Sequence, residues 1–144
     1  REQLFIGRLA GIGDGLMALF GAPTATPEDA QNAVKAAVAM QNRLVSLKSE
    51  LAAEGFANIA VGIGLHTGVA TIGYIGSERR SEYTAIGDTV NLASRLESNT
   101  IGGQILISEA TAMAAGNIFP MIKREPLIVK NRKQPVDLYE VKWS

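Results

Sequence analysis

Asp14 stands in the run Gly11-Ile12-Gly13-Asp14-Gly15. Glycines on both sides let a ligand or a metal approach the backbone, and a lone carboxylate there suits a hard cation such as Mg²⁺. Mg²⁺ commonly takes one or two carboxylates together with substrate phosphates, so a second acid is expected beside it. The same residue also reads simply as the Asp of a hairpin turn. Asn91 and Arg95 are four residues apart and share one face of a helix. An Asn and an Arg projecting together suit charge developing on phosphate or sugar oxygens. The alternative is a solvated face, with Arg95 paired to Glu97 or another acid. Lys130 opens the basic turn Lys130-Asn131-Arg132-Lys133-Gln134-Pro135, where a lysine between two strands is usually a surface residue. His66 is the only histidine and reads as structural. It cannot by itself build a His-based metal site or a Ser-His-Asp triad.

Other chemistry is excluded by what the chain lacks. It has no cysteine, which removes disulfides, Cys-ligated zinc and thiol nucleophiles together. No Gly-x-x-x-x-Gly-Lys-Ser/Thr and no strand-linked Gly-x-Gly-x-x-Gly is present, which argues against P-loop and Rossmann sites. Fourteen Lys and Arg balance fourteen Asp and Glu, so no global field argues for nucleic acid or an anionic membrane surface. The 144 residues, 47% apolar and 19% charged, suit one domain with a buried core. No apolar run reaches the ~18 residues of a membrane span and no signal peptide opens the chain, so the segment is expected to be soluble, without membrane contact. Arg1-Glu2-Gln3-Leu4 has neither Met nor a capping signal. The expectation is one domain over residues 1–144, clipped from a larger polypeptide, with a tag remnant as the alternative.

The elements that would position these residues follow from local patterning. Leu16 to Phe20 is an apolar run after an Asp-Gly pair, which reads as a hairpin with strands on both sides. Thr26-Pro27-Glu28-Asp29 reads as a helix start, with Thr26 as N-cap and Pro27 at the first helical position. Apolar residues at three- and four-residue spacing continue it for about seven turns toward Gly55. Residues 59–75, rich in Val, Ile, Thr and Gly, read as one long strand or a bent pair. Gly87-Asp88-Thr89 opens a second helix ending near Asn99, and Gln104 to Ile107 is a strand. Ser108 or Glu109 opens a short helix ending at Gly116, and strands at 121–129 and 136–143 finish the chain. The expected order is ββαβαβαββ, a sheet with helices packed on it.

Taken together, these pieces resemble the catalytic domain of class III nucleotidyl cyclases, the adenylate and guanylate cyclase family. The resemblance lies in Ile12 to Gly21, Val61 to Gly68, Glu82 to Glu97, and Val129-Lys130 through Pro135 to Val141, with Glu82 to Glu97 the most specific stretch. It implies an α+β fold, a ferredoxin-like α/β sandwich with a mostly antiparallel sheet. It also implies that a ribose 3′-oxygen attacks the α-phosphorus of a nucleoside triphosphate, closing a cyclic monophosphate and expelling pyrophosphate, with two Mg²⁺ or Mn²⁺ ions per site. On that resemblance Asp14 is the second of two metal-binding aspartates. Asn91 orients the ribose, Arg95 stabilises phosphate charge in the transition state, and Lys130 holds the polyphosphate. Thr84 falls at a base-contacting position.

The family works as a head-to-tail dimer, so a homodimer with sites across the interface is expected, and Ile75 to Arg80 resembles the hairpin that helps form it. The family's opening strand, with the first metal aspartate in a Phe-x-Asp-Ile-x-Gly-Phe-Thr type motif, is absent here. The expectation is therefore half a metal site and a sheet without its central strand. The Lys or Glu that usually precedes the Ile-Gly-Asp turn is also absent, the position being Ala10 or its neighbour. Thr84 and the absence of an acid before Ile12 favour an adenylate cyclase making cyclic AMP from ATP for cyclic-nucleotide signalling in the cytoplasm. A guanylate cyclase using GTP is one alternative, and a non-catalytic nucleotide-binding or dimerisation module is another.

Overall fold

The computed structural model describes residues 2–9, 15–21, 25–55, 60–69, 71–77, 80–130 and 132–144, the strands at 2–9, 71–77 and 80–86 and residues 15–16 by their backbone alone. The order is β1 (Glu2–Leu9), β2 (Gly15–Phe20), α1 (Asp29–Ala53), β3 (Val61–Gly68), β4 (Thr71–Ser77), β5 (Arg80–Ile86), α2 (Asp88–Ser98), β6 (Ile105–Ser108), α3 (Glu109–Ala115), β7 (Met121–Leu127) and β8 (Val136–Val141). Six strands form one sheet in the order β2-β1-β3-β6-β8-β7, and β4 and β5 pair as a separate two-stranded ribbon. Within the large sheet only β3–β6 is parallel. This is the expected α+β sandwich with a mostly antiparallel sheet.

Two expectations are corrected. Residues 59–75 are two strands rather than one, as the second of the two expected readings has it, β3 ending at Gly68 and β4 beginning at Thr71; the correction is β5, which pairs with β4 and is absent from the expected order. β4 ends and β5 begins within the stretch Ile75 to Arg80 that resembles a hairpin, with Ser77 opposite Arg80. Second, β1 pairs on both edges, with β2 and with β3 in the register Leu9↔Val61, so the sheet is continuous where a further central strand is expected.

Alternation along β3 decides what each sheet face meets. Val61, Ile63 and Leu65 are buried against Ala30, Ala33, Val34, Ala37 and Val38 of α1. Each fully buried aliphatic side chain contributes roughly 1.5–3 kcal/mol relative to leaving it in water. The intervening residues of β3 are glycines, and α2 lies on them. A Cβ at Gly64 would collide with Glu97 N and sit 2.8 Å from Ala93 O, so only glycine lets helix and strand come this close. Leu92, Ala93 and Leu96 bury the inner face of α2.

Helix boundaries follow local chemistry. Thr26 does not cap α1 through a backbone N–H. Its hydroxyl and N–H both donate to the Asp29 carboxylate, at 2.9 and 2.7 Å, and the helix begins at Asp29. Ser108 caps α3 by accepting from Thr111 N.

Candidate functional site

The site is built on α2 and on the connection between β7 and β8. Gly87, with φ +126°, turns β5 into α2 without a linker, a conformation that suits glycine alone. Thr89 Oγ1 donates to Val69 O at 2.5 Å and ties the first turn of α2 to the end of β3. With Leu92, Ala93 and Leu96 facing inward, Asn91 and Arg95 are exposed on the opposite side, about 6 Å apart along the axis. Arg95 and Glu97 do not pair: Glu97 is buried and Arg95 exposed, as expected for positions two apart. Across from them, Arg132 N donates to Val129 O at 3.1 Å and closes a four-residue turn with Lys130 in second place.

Asn91, Arg95 and Lys130 meet in one open cleft of about 250 Å³, completed by Asp88, Leu92, Val129 and Arg132. Three of the residues singled out in the sequence are thus brought together, although Lys130 lies 35 positions beyond Arg95 in the chain. Thr84 lies on β5 opposite Gly73, two residues before Ile86, the last of the strand that leads into α2. Asp14 and Ala10 lie outside the described residues.

The electrostatics favour an anion. Arg95, Lys130 and Arg132 bring three positive charges to the cleft and Asp88 one negative charge. Arg132 Nη2 donates to Asp88 Oδ2 at 2.5 Å, and among the described residues Arg95 and Lys130 have no ion-pair partner. Among those residues no group of three or more His, Asp or Glu side chains is placed to hold a metal ion. The one carboxylate of the cleft is engaged by Arg132. The described residues therefore do not fit a divalent ion by themselves.

His66 lies close to the same region but inside the fold. It is 9% exposed, and its Nδ1 is 2.7 Å from Ser108 Oγ. Burial lowers its pKa from 6.5 to about 4, helped by the Arg132 charge and opposed by Asp88. Neutral and hydrogen-bonded, it is the structural histidine the sequence suggests. Away from the cleft, burial pushes the Glu140 carboxyl up, but Arg124 and Lys142 outweigh this and hold it below its ordinary value.

Residues 2–142 match the adenylate and guanylate cyclase catalytic domain. The chain belongs to that family. This cyclase domain is 37% identical over 134 residues to adenylate cyclase 1 of Rhizobium meliloti strain 1021, an alignment covering 90% of the chain and 20% of the relative. It therefore spans about a fifth of that curated relative's length. Among solved structures, the adenylyl cyclase CyaB of P. aeruginosa is similar with a TM-score of 0.92 and 27% identity, covering 99% of this chain and 94% of that one. The guanylyl cyclase Cya2 is similar with a TM-score of 0.86 and 31% identity, covering 97% and 90%.

Asp88 and Arg132 line the same cleft and are not singled out by sequence reasoning. Asp88 reads there as a helix start, and Arg132 as one of three cations in a turn. Their chain separation of 44 residues hides the contact.

Proposed function

We propose that this domain converts ATP into 3′,5′-cyclic AMP and pyrophosphate, at a site completed by a second copy of the chain. One observation carries the reading: Asn91, Arg95 and Lys130 converge on one cationic cleft. The 3′-oxygen of the ribose forms a bond to the α-phosphorus as the bond from that phosphorus to the pyrophosphate oxygen breaks. Arg95, a planar donor, suits the charge that gathers on the α-phosphate oxygens in that step. Lys130 suits the β- and γ-phosphates as a point charge, and the Asn91 amide offers donors and an acceptor to the ribose. Thr84, on the strand leading into α2, is proposed to contact the base.

Two Mg²⁺ or Mn²⁺ ions are proposed as cofactors, with Asp14 as one ligand; when bound, they ease formation of the attacking alkoxide and neutralise phosphate charge. No residue of the described cleft takes that part.

Two features support a second chain. The cleft of about 250 Å³ is open and slightly below the roughly 300–1,000 Å³ usual for small-molecule sites, which suits a site that a second surface covers. Gly15, the residue after Asp14, pairs with Arg8, which pairs with Gly62. That is the end of β3 beneath Thr100, beyond the C-terminus of α2, whereas Asp88 and Asn91 lie toward the Gly68 end. A site that uses both Asp14 and Asn91 is therefore best made by two chains head to tail.

ATP as substrate would place the domain in the cytoplasm; no described helix is long and apolar enough to cross a membrane. GTP is the second reading, favoured by the 31% identity to the guanylyl cyclase Cya2. Product analysis after incubation with ATP or GTP and Mn²⁺ tests both. Cyclic AMP from ATP is the expected outcome, and cyclic GMP alone would move the base assignment while keeping the mechanism. No cyclic product from a folded dimer that still binds nucleotide would make this a binding module.

A further inference from the structure

Asp88 and Arg132 stand on the two walls of the cleft. Asp88 is the first residue of α2, three before Asn91. Arg132 closes the hydrogen-bonded turn that carries Lys130. Their contact, Nη2 to Oδ2 at 2.5 Å, is among the described residues the one side-chain hydrogen bond that ties this turn to the first turn of α2. The pair is open to solvent, Asp88 by 72% and Arg132 by 38%, and an ion pair so exposed adds little to stability. Its consequence is geometric. A turn at the end of an edge hairpin has few neighbours to hold it, and a misplacement of about 1 Å in a binding group is enough to cost a large factor in catalysis.

We propose that the Asp88–Arg132 pair is a clamp across the cleft that holds Lys130 in register with Asn91 and Arg95, making both members positioning residues for the polyphosphate. The proposal rests on the reading of the cleft as a nucleoside triphosphate site. It makes a prediction opposite in sign to that of simple charge. Removing the Asp88 charge leaves the cleft more positive, so Coulomb attraction alone would tighten polyphosphate binding. Loss of the clamp weakens it.

The test uses the whole chain, with dissociation constants for inorganic tripolyphosphate by calorimetry and steady-state kinetics with ATP. Asp88→Ala, which removes the charge and the acceptor together, is expected to raise both the tripolyphosphate Kd and the KM for ATP about tenfold, equivalent to about 1.4 kcal/mol of lost binding. Arg132→Gln should do the same, and Arg132→Lys should recover most of the loss, because the contact uses one nitrogen and one oxygen. Unchanged or tighter binding in Asp88→Ala overturns the clamp, as does an Arg132→Lys variant no better than Arg132→Gln. A parent chain that makes no cyclic nucleotide from ATP or GTP defeats the functional reading instead, and the tripolyphosphate measurement still decides the clamp.

Discussion

Arg95 and Lys130 face one cleft from two different elements, and among the described residues neither has an ion-pair partner. Cations left unpaired beside each other repel, and the arrangement is favourable once an anion lies between them. Substituting Arg95→Ala or Asn91→Ala is therefore expected to cut cyclic nucleotide turnover by about 10²–10³, the usual cost of losing a transition-state donor. Both side chains are exposed, so melting temperatures should stay close to the parent's. Parental turnover in both variants would remove these residues from the mechanism.

The two-chain site predicts complementation. Asp14→Ala and Arg95→Ala should each be inactive alone, since every dimer carries the same defect in both sites. Mixed and allowed to exchange, half the dimers become heterodimers with one intact site, so activity should return to about a quarter of the parent's. Mixtures as inactive as their components would rule out a site shared in this way.

The candidate site was legible in the sequence to different depths. Asn91 and Arg95 sit at i and i+4, and helix geometry alone places them on one face. Lys130 is different: spacing assigns a lysine in a turn to the surface, and only likeness to a family brought it toward α2. The cross-cleft contact of Arg132 with Asp88 was not legible, because periodicity reports what one element presents and is silent on which element it faces. The same limit explains the missed β5. Burial against the large sheet writes a pattern into β3, whereas the β4–β5 ribbon pairs only with itself.

Gly64 is the point where α2 and the sheet come closest, and it predicts a coupled loss. A methyl group there would meet the backbone of Glu97 and Ala93, which cannot rotate aside. Gly64→Ala should destabilise the domain by about 1–3 kcal/mol, the usual cost of overpacking, and displace the helix that carries Asn91 and Arg95. Thermal melts and turnover measured on one preparation check this. A variant with the parental melting temperature would show that the helix accommodates the methyl group without strain.

His66 predicts a stability window in pH. Its folded pKa of about 4 lies below the ordinary 6.5, so between these values the unfolded chain binds more protons than the folded one. The stabilisation is complete above 6.5, declines as pH falls, and is exhausted below about 4. The full span corresponds to about 3 kcal/mol. Asp88 and Arg132 are the charges that act on the ring, Arg132 lowering its pKa and Asp88 raising it, so Arg132→Gln should raise the lower edge of the window and narrow it, the unfolded edge at 6.5 staying in place. Glu140, held below its ordinary value, keeps its contribution until pH falls through that lowered pKa, and its effect is common to parent and variant. Denaturant unfolding of the parent and of His66→Gln at a series of pH values isolates the histidine. The parent should lose stability relative to the variant as pH drops from 6.5 toward 4, and parallel curves would show that His66 titrates alike in the folded and unfolded states.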